Sequence, residues 1–162
     1  MFARIALTTA SAAAVIAAFP AAAGAAPRTE VVDRSLFDAT PELTTSSLRV
    51  DGPTSGPLGG AMDVTLRAAD GTLPTTFGAC EPARVEAVVT VQPGKVITAK
   101  ARGEVCAHVV DGSLSMFAGF KQKDVRYQGY GRCKPRLQGE GFISVGQSML
   151  GGQASFFGSF RR

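Results

Sequence analysis

The chain has no tryptophan and no asparagine, a single histidine, two tyrosines and three cysteines among its 162 residues. Without Asn there is no N-glycosylation sequon. Without Trp, an aromatic platform for sugars must come from Tyr or Phe alone. One histidine, His108, restricts metal and acid–base chemistry together. A zinc site gathers four ligands, and a Ser-His-Asp triad needs that one imidazole as its base. Cys106 and His108 alone do not complete a metal site, so no metal and no cofactor is expected. Asp111 stands close to His108 in sequence, but an Asp-Gly pair is explained by a turn. Residues 146–151 (GQSMLG) miss the nucleophile-elbow spacing, because the second Gly comes one residue late. The carboxylates are scattered and form no paired acid/base motif, so no catalytic residue is assigned.

Charge is missing from one stretch only. Met1-Phe2-Ala3-Arg4 is followed by an uncharged run from Ile5 to Phe19, then Pro20 and the small residues Ala21 to Ala26. That is the n-, h- and c-region order of a cleavable secretory signal peptide. The run is shorter than the roughly 20 apolar residues that span a bilayer. We expect residues 1–25 to be a signal peptide and residues 26–162 a single secreted β-domain with no transmembrane segment. Cleavage fits before Gly24 or before Ala26. No Arg-Arg pair precedes the run and no Cys follows it, which argues against twin-arginine export and a lipid anchor. The whole chain carries 17 basic and 13 acidic residues, a net of +4, and loss of Arg4 with the leader lowers it to +3. Ala, Gly, Val, Arg and Pro are abundant and Lys is sparse, a composition associated with GC-rich bacterial genomes.

What remains alternates with period two, the pattern of half-buried strands. Met62, Val64 and Leu66 form one stripe, and Val85, Ala87, Val89 and Val91 another. A third runs Leu114, Met116, Ala118, Phe120. Shorter candidates lie at residues 31–37, 43–50, 125–127, 142–145 and 154–160. Helical spacing does not persist. Pro93-Gly94 and Asp111-Gly112 sit where tight hairpins would turn. The expected fold is all-β, an antiparallel sandwich of about eight or nine short strands, with a closed antiparallel barrel as the alternative. Residues 51–60 (DGPTSGPLGG) and 70–82 read as loops.

An exported chain meets oxidising conditions, so a disulfide is expected. A two-residue turn at Pro93-Gly94 makes paired residue numbers add to 187, while Cys80 and Cys106 add to 186. A bulge at Gly103 or near Pro82 would bring them opposite each other. We therefore assign the disulfide to Cys80 and Cys106, closing a loop worth about 3 kcal/mol in the chain-entropy account. Cys133, between Arg132 and Lys134, is left as a free thiol that could join two copies covalently.

Residues 121–136 (KQKDVRYQGYGRCKPR) hold most of the net charge. They include Lys121, Lys123, Arg126, Arg132, Lys134 and Arg136, and both tyrosines, Tyr127 and Tyr130. Basic charge attracts polyanions, and interleaved aromatics can stack on bases or sugars. The plain alternative is a solvated strand edge protected by its charges. The leading expectation is a non-enzymatic binding domain, outside the cell or on its envelope, contacting an anionic polymer or lipid surface through these eight residues. The second is a small secreted hydrolase or isomerase with a cavity near His108. The third is a structural envelope protein. The three Phe of residues 156–160 are read as a terminal strand packing into the core.

Overall fold

The computed structural model describes residues 27–55, 59–109 and 111–162. The expected signal peptide lies outside the described residues. Period-two alternation becomes strand structure throughout. β4 (Ala61–Ala68) buries Met62, Val64 and Leu66 and turns Asp63, Thr65 and Arg67 outward. β5 (Cys80–Gln92) buries Ala83, Val85, Ala87, Val89 and Val91, and β6 (Lys95–Ala107) answers with Ile97, Ala99, Ala101, Val105 and Ala107. Strands that bury every second residue form the wall of a sheet with one apolar face.

The other strands are β1 (Thr29–Ala39), β2 (Glu42–Leu43), β3 (Ser47–Pro53), β7 (Leu114–Gly119), β8 (Val125–Gln128), β9 (Arg136–Ser148) and β10 (Gly151–Arg161). All pair antiparallel in one sheet, in the order β1-β10-β9-β7-β6-β5-β4-β3-β2, with β8 also on β6. The sheet curls into a half-barrel. At its seam Ser55 donates its backbone N–H to the Ser35 carbonyl at 3.0 Å. The interior is filled by one apolar cluster that includes Leu48, Ile97, Ile143, Phe156 and Phe160. Phe156 points inward and Phe157 outward, where it stacks on Phe142. Among the described residues no helix is long and apolar enough to cross a membrane.

Several details differ from the sequence reading. Gly103, expected as a possible bulge, lies within one continuous strand, β6, and pairs in register with Ala83. Cys80 and Cys106 are directly opposed and bonded, but the extra residue lies beside the turn, between Thr90 and Gln92, and not at Gly103 or Pro82. A bulge next to a two-residue turn leaves the rest of the long hairpin regular. The Asp111-Gly112 turn is not a two-residue hairpin. β6 and β7 are joined by residues 108–113, with the His108 N–H bonded to the Ser113 carbonyl at 2.8 Å. Asp111 Oδ1 accepts the Ser113 N–H at 3.0 Å, the local bond that makes Asp a turn residue.

One break in the sheet matters for function. β8 pairs with Val96–Ala99 of β6, and β7 pairs with Val105–Ala107. Between them β6 has no strand partner on that side among the described residues. There the chain from Phe120 to Asp124 leaves the sheet, passing through a 3-10 turn at Gln122–Asp124. It is anchored by Phe120, buried and stacked on Phe156 at 5.3 Å. Gly141 makes this anchor possible, because a side chain there would collide with the Phe120 ring.

Candidate basic groove

The outer faces of β4, β5 and β6, with Gly119 at the end of β7 and the displaced segment 120–124, enclose a groove of about 730 Å³. Its defining feature is a row of arginines. Arg67 lies opposite Arg84, and Arg84 opposite Arg102, on three adjacent strands. Neighbouring strands are about 4.8 Å apart, so the row spans about 10 Å. Like charges directly opposite one another destabilise a sheet. Lys121 and Lys123, carried by the displaced segment, line the same groove. All five side chains belong to exposed residues.

The groove's carboxylates are already engaged. Asp63 accepts from Arg49 at 2.8 Å, and Arg49 also reaches Glu42 at 3.2 Å and Asp51 at 3.8 Å. Hydrogen bonds that Arg49 donates to Asp63 and Glu42 hold its guanidinium well above its ordinary pKa. Glu86 is paired with Lys100 at 3.0 Å. The Asp124 carboxylate turns back to accept the Lys121 backbone N–H at 3.3 Å. Among the described residues, Arg67, Arg84, Arg102, Lys121 and Lys123 have no ion-pair partner. Five cations therefore face solvent in one concavity.

The expected site residues are not brought together as one patch. Lys121 and Lys123 enter the groove, and Arg126 is exposed on β8 opposite Thr98. Arg132, Cys133, Lys134 and Arg136 are exposed farther along, beyond the point where Gly129 abuts Gly94 of the β5–β6 turn. Arg136 there faces Arg161 across β9 and β10. Tyr127 and Tyr130 point the other way. Both pack against the core, edge to face with each other at 5.8 Å, and Tyr127 meets Phe160 at 6.0 Å. Their hydroxyls are buried without a hydrogen-bond partner. Burial pushes the Tyr127 phenol up to about 12 and raises Tyr130 as well. Lys95 and Arg162 lie over the Tyr130 ring at 5.7 and 5.6 Å. The tyrosines are thus half-buried against the core, Tyr130 beneath two cations.

Sequence reasoning missed the arginine row. The signal was present: the pairing that opposes Cys80 and Cys106 also opposes Arg84 and Arg102, since both pairs of numbers add to 186. Among the described residues no three His, Cys, Asp or Glu side chains converge as metal ligands. No family model matches the chain, and neither a curated protein nor a solved structure is significantly similar to it.

Proposed function

We propose that the protein is a binding domain for an extended anionic polymer, acting outside the cell or on its envelope, with the β4–β6 groove as its contact surface. The observation that carries this reading is the in-register row Arg67, Arg84 and Arg102, whose mutual repulsion is not relieved by any acid of its own. Phosphate, sulfate or carboxylate groups spaced along a chain would relieve it, and guanidinium forks suit such groups bidentately. The concavity favours a polymer lying across the strands over a flat lipid surface. Lys121 and Lys123 would close over the bound chain from the side. We read the half-barrel as an incompletely closed barrel and not a sandwich, with the Ser35–Ser55 bridge as support.

The test is heparin, as a model polyanion, titrated into the purified domain at rising ionic strength, for wild type and Arg84→Glu. Screening shortens from about 10 Å at 0.1 M salt to about 3 Å at 1 M, so affinity should fall steeply. Arg84→Glu should weaken binding about tenfold or more, because a charge-assisted hydrogen bond is worth roughly 1.5–3 kcal/mol. The same change should raise stability by up to about 1 kcal/mol, since it puts an acid between two arginines. Binding that ignores salt, or survives Arg84→Glu unchanged, would defeat the proposal.

A further inference from the structure

A second concavity, about 270 Å³, lies elsewhere on the outer face of the sheet, over β1, β10, β9 and β7. It is built around another row in register. Cys80, Cys106, Ser115, Gly146 and Gln153 stand opposite one another across five strands. The disulfide fixes the β5–β6 end of this row. Two residues beyond Cys106 the chain leaves β6, and His108 returns over the row. Its Nε2 lies 2.6 Å from Ser115 Oγ. With the proton on Nδ1, the Ser115 hydroxyl donates to Nε2, the geometry of a nucleophile and its base.

Gly146 stands between the two side chains in the row. A Cβ built there would lie 2.9 Å from the Leu114 carbonyl oxygen and 3.6 Å from both Ser115 Cβ and Gln153 Nε2. With glycine, no side chain separates the hydroxyl from the amide. Phe37 and Phe117 also line the concavity and stay 61% and 66% exposed, large apolar surfaces open to solvent, although the Phe117 ring meets Phe142 at 5.0 Å. Asp111 does not orient the imidazole. Its carboxylate is engaged with Ser113, whose hydrogen bonds lower its pKa. A base without a bonded carboxylate stabilises its imidazolium weakly, which suits esters with good leaving groups better than amides.

We infer that Ser115 and His108 form a nucleophile–base pair that hydrolyses small carboxylic esters, with the acyl group held between Phe37 and Phe117. Ser115 Oγ attacks the ester carbonyl carbon while its proton passes to His108 Nε2. Gln153 Nε2–H donates to the carbonyl oxygen as it becomes an oxyanion. Collapse breaks the bond to the leaving alcohol, which takes the proton from His108 and departs, leaving acyl-Ser115. Water then attacks the acyl carbon, giving its proton to His108. The carboxylic acid is released and the proton returns to Ser115 Oγ.

The test uses p-nitrophenyl acetate and butyrate as substrates and a fluorophosphonate as covalent probe, with the adduct located by peptide mass mapping. Expected are saturable turnover and a single adduct on Ser115. Ser115→Ala and His108→Gln should each lower kcat at least about a hundredfold, with unchanged thermal melting. Gln153→Leu should lower kcat with little change in KM. An adduct elsewhere, no adduct on the native protein, or turnover that persists in Ser115→Ala overturns the inference. The fluorophosphonate experiment needs no variant, so it decides even if a substitution impairs folding.

Discussion

At the scale of single residues, the two tyrosines show how a composition argument and a packing argument diverge. Within residues 121–136 they look like stacking groups interleaved with charge. In the fold Tyr127 and Tyr130 face inward and their hydroxyls lack partners. Sequence could not settle this, because 125–128 is a four-residue strand and its neighbour in space is Phe160, far along the chain. The consequence is a pH dependence. Burial raises both phenol pKa values in the folded state, Tyr127 to about 12, while an unfolded tyrosine ionises near 10. Between those values the unfolded chain releases protons that the folded chain keeps. Stability is therefore complete below about pH 10 and falls as pH rises toward 12. Tyr127→Phe removes one such group together with an unpartnered hydroxyl. Denaturant melts at pH 8 and pH 11 should show a smaller alkaline loss for the variant, with stability at pH 8 equal or slightly higher.

At the scale of elements, alternation made most strands legible, and turn chemistry placed the β5–β6 hairpin well enough to pair Cys80 with Cys106. The break between β7 and β8 was not legible. Residues 114–120 continue an apolar stripe without interruption, so nothing local announces that the chain leaves the sheet after Gly119. The cause is the far side of the core: Phe120 drops into space left by Gly141 and stacks on Phe156. Gly141→Ala should therefore displace the ring, because the new methyl and the aromatic cannot coexist. Overpacking of this kind costs about 1–3 kcal/mol. It should also shift Lys121 and Lys123 and weaken heparin binding, although neither lysine is altered. Loss of stability without any loss of binding would uncouple the anchor from the groove.

At the scale of the whole molecule, the all-β class followed from the sequence, but the single curled sheet did not, because β1 finds its partner at the opposite end of the chain. The disulfide belongs to this scale too. It closes a separation of 26 residues, and its entropic contribution is about 3 kcal/mol. Yet both cysteines sit on the outer face of a hairpin already joined by its backbone ladder, and the core packs behind them. Exchanging Cys80 and Cys106 for Ser together should lower stability by up to that amount and leave the strand circular dichroism intact; collapse of the sheet would show that the crosslink organises the fold. The pairing of β1 with β10 has a temporal side. A chain emerging from its N-terminus exposes β1 first and β10 last, so β1 waits through nearly the whole of the domain for its partner. Until then the exposed borders of β1 and β9 remain open to other chains. Closure is a race against association, and whatever truncates the last twelve residues, β10 among them, decides it in favour of aggregation.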